Sequence, residues 1–539
     1  MKIKIFGLIL SLFFISGKNA FGQQEFQITE LTKTECTITD FHHSLNGGTI
    51  LVGESQQAGT SFIELQKFLL DLSPEWAYSF SSTDSVIHAR ALTESNDRGY
   101  LTAAQIVQSG NLSDPESDIL LFKTDEQGQL LWSKRIDHYY SDNPVSILNY
   151  TDATIYVTSR VTTTNISPHY SVSLLRCDST GNVLWSKSIN GSSNEIASNL
   201  IRTSDDQLAI SGTSNSFSSG SSFFLSKLDT AGNYFWFRTY FTGPADTCHG
   251  LIQTNDGGYL LIGSGGLDGK DVLLIKTDQN GITQNSHSFN LGFGSNKNLD
   301  KGIRVLNTSD GGYAIAGESQ QEGSDLPFFF IIKISQNLVI EWHDTYGFQL
   351  KNKFASILEL TDEGFLLSGG RENFGTSITR NLLIKTDSAG NSSCLQTVVD
   401  LTDQNENPFS SSASPSTLST VTTQTTIALT RGITSYVNDT ACYLPTGLSE
   451  MSIQNSISVF PNPFRNKLNL DLGGYSIDEA VEIQITDQTG RILYRRENVK
   501  ISSPAGIEID LPDFRQGTYF LCLKNRGRML QAKKIICSY

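Results

Sequence analysis

Charge is scarce in this chain and mostly of one sign. Only 18% of its 539 residues are Asp, Glu, Lys or Arg, and the net charge is −15, where ordinary globular chains carry about 25% charged residues. Without clustered Lys and Arg there is no footprint for a phosphate backbone, so nucleic acid is excluded as a partner. Methionine is nearly missing, with 3 in the chain, and long charged side chains are few, which argues against helical bundles and coiled coils. After the N-terminus no apolar run reaches the length of about 18 residues that a membrane helix needs, so no transmembrane segment is expected. HExxH, GxSxG and P-loop motifs are absent. The 8 His are scattered. The 7 Cys include no CxxC pair or zinc spacing. Neither a metal nor a cofactor is therefore expected.

What is present is β-forming and turn-forming: 45 Gly, 30 Phe and 18 Tyr, in a background of Ser, Thr and Asn. At the N-terminus Lys2 and Lys4 precede the apolar run Ile5–Ile15. Ala20 and Gly22 then stand at −3 and −1 of a cleavage site, which reads as a secretory signal peptide over residues 1–22. Export permits disulfides. Cys394 and Cys442 flank a Ser/Thr-rich stretch and are the pair expected to close it as a loop. Cys522 and Cys537 lie on two runs that form a hairpin, where Cys522 would face about residue 531, out of reach of Cys537.

Between these ends the sequence repeats itself. Thr254-Asn-Asp-Gly-Gly-Tyr-Leu-Leu-Ile-Gly263 matches Thr308-Ser-Asp-Gly-Gly-Tyr-Ala-Ile-Ala-Gly317, and weaker copies surround Thr49, Tyr100, Ile155, Leu208 and Phe365. With Tyr259 and Tyr313 these make seven anchors, spaced by 51 to 55 residues. Each unit reads as four short strands punctuated by an Asp-Gly-Gly turn and an Asp-x-x-Gly turn. Seven such units predict a seven-bladed β-propeller over residues 23–394. All five Trp, at 76, 132, 185, 236 and 342, fall on fourth strands, where they are expected to pack between blades. The seventh unit has no such strand, and Glu25–Leu31 is the expected replacement. The residue six before each anchor is always polar (His43, Glu94, Asn149, Arg202, Gln253, Asn307, Glu359), and the residue two before that is always apolar. This is read as satisfied polar groups rather than a ligand ring.

The uniform turns share one face of a propeller, and the second-to-third and inter-blade loops share the other. Variable loops on a rigid scaffold are where binding residues gather. Tyr140, Arg160, His169 and Arg371 are the candidate ligand contacts, with a protein or glycan as the expected partner. No catalytic residue is assigned. The alternative is a polysaccharide-active hydrolase or lyase on the same face. The Asp-x-x-Gly turns lack the oxygen ladder of a calcium loop, and no arginine triad is located from the sequence. The last 92 residues hold 12 basic and 10 acidic groups and the first 22 hold three Lys, so the middle carries 25 basic against 45 acidic.

Residues 395–447, with 12 Ser or Thr between Ser410 and Thr426, read as a solvated linker. Beyond it, period-two alternation (Leu468, Leu470, Leu472; Val481, Ile483, Ile485; Ile507, Ile509, Leu511; Tyr519, Leu521, Leu523) predicts a small antiparallel β-sandwich over 448–539. Val459-Phe-Pro461-Asn462-Pro463, Ile485-Thr-Asp-Gln-Thr-Gly490-Arg, Gly517-Thr-Tyr519-Phe-Leu and Lys533-Lys-Ile-Ile resemble the type A C-terminal sorting domain of the type IX secretion system of Bacteroidetes. That resemblance implies an immunoglobulin-like fold, passage across the outer membrane, removal by a sortase-like peptidase, and release or attachment at the cell surface. The secretion machinery and the sortase are then partners. The upstream repeats resemble propeller domains of exported Bacteroidetes proteins. The fold class expected is all-β, a seven-bladed propeller followed by the sandwich.

Overall fold

The computed structural model describes residues 28–31, 35–108, 116–162, 169–266, 271–292, 298–321, 326–347, 352–372, 379–392, 396–397, 400–406, 408–412, 416–419, 423–426, 429–433 and 436–439, and in the tail 458–460, 464–471, 481–486, 492–499, 507–511, 514, 517–525 and 528–537. Among these every regular element is a strand. The chain forms two compact bodies, Glu25–Cys442 and the tail from Tyr443.

The larger body contains seven antiparallel units, over residues 35–81, 85–137, 141–190, 195–241, 247–292, 298–346 and 352–385. Units 1 to 6 have four strands each and unit 7 has three, with consecutive strands hydrogen-bonded side by side. Units 2 and 3 join in one sheet through a parallel contact between Ser117 and Ser141. The first strand of each unit neighbours that of the next, and the first strand of unit 7 neighbours that of unit 1. In all seven first strands the register slips by one residue at the same place. The extra residues are Thr39, Arg90, Val145, Ser198, His249, Ile303 and Ala355.

The cores lie between units rather than inside them. One cluster joins Phe223, Leu225 and Tyr240 of unit 4 to Leu251, Tyr259 and Leu273 of unit 5. Another joins Ile38, Phe41 and Leu51 of unit 1 to Ala355, Leu366 and Leu383 of unit 7. Each sheet is buried on both faces, which explains strands such as Asp271–Thr277 with every residue buried. Each fully buried Leu, Ile or Phe contributes about 1.5–3 kcal/mol. The seven apolar residues before the polar register are all buried, from Phe41 at 1% exposure to Val305 at 8%. The tryptophans sit half-buried on the fourth strands of units 1, 2, 3, 4 and 6, packed against these inter-unit clusters.

The Ser/Thr-rich stretch, expected as a solvated linker, is paired with the repeat units along its described strands. It runs backwards round the outer edges of the units. Gln396–Thr397 pairs with unit 6, Asp400–Asn405 with unit 5, Phe409–Ser412 with unit 4, Ser416–Ser419 with unit 3, Thr423–Thr426 with unit 2 and Thr430–Ile433 with unit 1. Tyr436–Asp439 then pairs with Ile28–Leu31, which lies alongside the third strand of unit 7. The register is strict. Gln396, Asp403, Ser410, Thr417, Gln424 and Arg431 face Tyr346, Phe289, Tyr240, Ile189, Ile136 and Phe80, one belt residue in every seven opposite the same position of successive fourth strands. An exposed sheet edge satisfies its ladder groups by pairing, and Ser and Thr can do so without adding an apolar outer surface.

In the tail, Ser458–Phe460, Lys467–Asp471 and Ile507–Asp510 form one sheet, and Val481–Thr486, Ile492–Val499, Gly517–Asn525 and Arg528–Cys537 another. Val459, Leu468, Leu470 and Ile509 of the first share a core with Ile483, Ile485, Leu521 and Ile535 of the second. Cys522 faces Ala532, and Cys537 faces Gly517 across the hairpin. Cys177, Cys248 and Cys537 are buried free thiols. Cys394 and Cys442 lie outside the described residues, as does the signal segment.

Candidate functional site

The turn face is occupied by structural pairings. In five of the seven units the Asp of the first turn binds a Lys from the third strand of its unit: Asp97 with Lys123, Asp205 with Lys227, Asp256 with Lys276, Asp310 with Lys333 and Asp362 with Lys385, at 2.5 to 2.8 Å. These lysines were not singled out in the sequence, although each stands at one place in its repeat. In the Asp-x-x-Gly turns the Asp accepts two backbone N–H bonds, as Asp178 does from Thr180 and Asn182 and Asp229 from Ala231 and Asn233. A cavity of about 180 Å³ on this face is lined by Asp97 and Lys123, already joined to each other.

The polar register holds neighbouring units together. Glu94 accepts from Ser44 Oγ and the Leu45 N–H of unit 1, and Gln253 accepts from the Ser204 N–H. Arg202 donates to the Tyr150 carbonyl and Asn307 to that of Gln253. Glu359 accepts from Ser309, and His43 bonds the Glu359 carbonyl at 2.5 Å, so unit 1 is tied to unit 7 as the others are tied to each other.

The first-strand bulges gather at a different place. Arg90, Val145, Ser198, His249 and Ile303, the bulge residues of units 2 to 6, line one open cavity of about 380 Å³ together with Asn143, Arg160 and Arg304. The bulges fall within the first strands, while Asn143 and Arg160 lie nearer the strand ends from which the inter-unit and second-to-third loops leave. Bulges re-aim side chains and are frequent at functional sites. Three guanidinium groups thus converge where no arginine cluster was legible. Arg90 donates to Asn143 Oδ1, Gln105 Oε1 and the Ala89 carbonyl, all neutral. Arg160 stacks on Tyr170, its Cζ 4.7 Å from the ring centre, and has no carboxylate partner among the described residues. Arg304 reaches past unit 7 to within 3.8 Å of Asp40 in unit 1.

Electrostatics follow from this crowding. Burial holds Arg90 below its ordinary range, with Glu54 opposing and the charge of Arg160 adding to the effect. His249 is pushed down to about 4, by burial and then by Lys301 and Arg304, so it is neutral at pH 7. Asp40 lies below its usual value because His42, Arg304 and the Leu92 N–H outweigh the cost of burial. His42, bonded to Asp40 at 3.1 Å, is raised because that carboxylate outweighs its own burial. Glu54 is engaged by His88 at 3.0 Å. The acids near the cavity are therefore committed to partners, whereas Arg90 and Arg160 line it with neutral partners and no carboxylate ion pair among the described residues.

Of the four expected contacts, only Arg160 lines this cavity. Tyr140 is half-buried between units 2 and 3, its hydroxyl buried and without a hydrogen-bond partner among the described residues. His169 is exposed beside Tyr170, and Arg371 lies near the end of its strand opposite Asn352 and Arg380. The structure does not bring these four together. Inside the molecule Ser173, His138 and Asp142 meet, with Ser173 Oγ at 3.2 Å and Asp142 Oδ1 at 3.7 Å from the same nitrogen, His138 Nδ1. A relay needs the two on opposite nitrogens, and the imidazole and carboxylate are closed to solvent, so the trio is structural.

In the tail, Tyr519 is buried against Phe514 and Phe464, ring centres 4.9 and 6.3 Å apart. Gly517 opens the same strand. Pro461, Asn462, Pro463 and Gly490 lie outside the described residues.

Comparison with known proteins assigns the tail. Residues 458–538 match the family model of the secretion system C-terminal sorting domain. This match supports a secreted protein delivered through the type IX system by its tail. No curated protein matches the chain. Among solved structures, one titled biofilm associated protein, BSP domain, aligns at 9% identity over 97% of this chain and 98% of that one, with a TM-score of 0.13, too slight a likeness to carry an argument. No helix among the described residues is long and apolar enough to cross a membrane.

Proposed function

We propose that the chain is a secreted or surface-attached binding module for a glycan or protein, built as a seven-bladed β-propeller over residues 23–394. An immunoglobulin-like tail over 448–539 delivers it through the type IX system, and a sortase removes that tail. The propeller reading is supported by seven antiparallel units whose first strands neighbour in sequence order and return from the seventh to the first. One observation favours binding over hydrolysis. The cavity formed by the bulged first strands presents guanidinium, amide and hydroxyl groups, while the nearby carboxylates are held by His42 and His88. Glycoside hydrolysis needs two carboxyl groups at about 5–10 Å, one free to donate and one to attack or activate water. The test is a glycan-array screen of the purified chain run beside an assay for released reducing or unsaturated sugar. Retention without release is the expected result. Sugar release that persists in protein carrying no contaminating hydrolase would overturn the reading in favour of an enzyme.

A further inference from the structure

The charge of the cavity runs against that of the molecule. The chain carries −15 overall, yet at one place Arg90 and Arg160 stand close enough for the second to depress the first. Neither has a carboxylate partner among the described residues. Bringing two guanidinium groups together in a half-buried site is unfavourable unless something else compensates. The local acids do so only in part: Asp40 serves His42 and Arg304, and Glu54, whose charge favours Arg90 through space, is bonded to His88 rather than to either arginine. The groups are also held ready. Arg90 is fixed by three neutral acceptors and Arg160 by the Tyr170 ring, so their orientation does not have to be found on binding. Such planar forks suit oxyanions, which they bind through paired N–H donors.

We infer that the cavity lined by the bulged first strands recognises an oxyanion-bearing sugar, a uronate carboxylate or a sulfate ester on an acidic glycan, held by Arg90 and Arg160. This deepens the binding-module reading and rests on it. The rest of the lining favours a sugar over an acidic peptide. Asn143, Ser198 and the neutral His249 offer hydrogen-bonding groups on several sides, and Pro144 and Ile303 offer small apolar faces. The cavity volume of about 380 Å³ falls in the small-ligand range of about 300–1,000 Å³.

The experiment is calorimetric titration of the purified chain with four probes: an oligogalacturonate, a sulfated glycosaminoglycan disaccharide, maltotriose and a poly-glutamate peptide. The expected result is binding of one or both acidic sugars, weakened by raised salt. Arg160→Gln should weaken it at least tenfold and Arg160→Lys less. Arg202→Gln, which changes an exposed arginine at the end of a first strand outside the cavity, should leave it unchanged. Thermal melts confirm that each variant is folded, and Asn143→Ala, which removes one of the three acceptors of Arg90 without deleting charge, should also weaken acidic-sugar binding. The uronate and sulfate arms distinguish the two oxyanions. If maltotriose binds as well as the acidic sugars and Arg160→Gln has no effect, the oxyanion assignment is overturned while the binding reading stands. If poly-glutamate binds and no sugar does, the ligand class is wrong. If the array and the titrations both find no ligand at all, the binding reading falls with it.

Discussion

Gly232 of unit 4 lies on the indole of Trp185 in unit 3, where a Cβ would stand 2.9 Å from the ring. Its φ of +76° closes the Asp229 turn. The same pairing recurs at Gly128 on Trp76, Gly181 on Trp132, Gly281 on Trp236 and Gly390 on Trp342. The two exceptions support the rule. Unit 5 has Asn285 in place of Trp, and the following turn carries Leu338, at φ +64° and 4% exposed, packed into the core between units 5 and 6. Unit 7 has no fourth-strand Trp, and the turn of unit 1 carries Leu72 at φ +61°, packed against the core between those units. A non-glycine residue in the left-handed region costs roughly 1–2 kcal/mol, so leucine is tolerated where its burial fills the place of an indole. Asn285→Trp alone should destabilise the protein by about 1–3 kcal/mol through overpacking, and adding Leu338→Gly should recover much of that loss. Chemical denaturation of the two single variants and the double measures the coupling, and additive effects would refute the complementarity. Trp185→Ala should cost about 3–5 kcal/mol.

The belt suggests a second test. Its strands cover the outer edges of units 1 to 6 with one position in seven in fixed register. Ending the chain at 394 would expose all those ladders at once, and exposed edges pair with other chains. Such a truncation should melt at a lower temperature and aggregate in light scattering. Ending it at 447, which keeps the belt, should do neither. Equal behaviour of the two truncations would mean that the belt only decorates the sheets.

Much of this architecture was legible because it repeats. The anchors from Thr49 to Phe365 predicted the seven units, and the five Trp fell where the structure has them, since a packing position between sheets demands the same residue type each time. The belt was not legible. Its period is seven and its residues are Ser and Thr, whose composition alone is that of a solvated segment. Only the pairing of Ser410 with Tyr240 and Thr417 with Ile189 gives them a place. The arginine cluster was hidden for a related reason. Arg90 and Arg304 come from units 2 and 6, Arg160 from a second strand of unit 3, and no common repeat position links them. The bulges that gather their strands leave no mark in composition.

Acid titration separates two kinds of carboxylate by sign. Asp256 and Asp310 sit at about 2, because Lys276 and Lys333 with the turn hydroxyls and N–H groups outweigh partial burial. Their usual value is about 4, so the stabilisation they give is present above pH 4 and is lost as pH falls toward 2. Asp118 is opposite in sign. Burial raises it to about 6 despite Arg135, so between about pH 4 and 6 the folded state holds the extra proton and stability declines as pH rises. Asp256→Asn with Asp310→Asn should flatten the stability profile below pH 4, and Asp118→Asn should flatten it between pH 4 and 6. Denaturation midpoints across pH 2–7 decide, and unchanged slopes in either variant would contradict the assignment.

The sorting-domain match over 458–538 supports an export role for the tail, whose core offers a way to separate folding from sorting. The tail forms its own compact body, with both sheets sharing one apolar cluster. Removing Leu448–Tyr539 should therefore leave the repeats and belt folded while the protein accumulates in the periplasm. A point variant makes a finer test. Tyr519 is 8% exposed and packs against Phe464 and Phe514, and truncating a buried aromatic costs about 3–5 kcal/mol. In a body of this size that is a large share of a total stability of about 5–15 kcal/mol. Tyr519→Ala should therefore unfold the tail selectively and reproduce the export defect of the deletion. Tyr519→Phe, which keeps the ring, should export normally. Fractionation into periplasm, surface and medium gives the distribution, and calorimetry of the purified chain reports whether the main transition is preserved. Normal surface delivery of Tyr519→Ala with a demonstrably melted tail would mean that the machinery reads a linear segment rather than the folded sandwich.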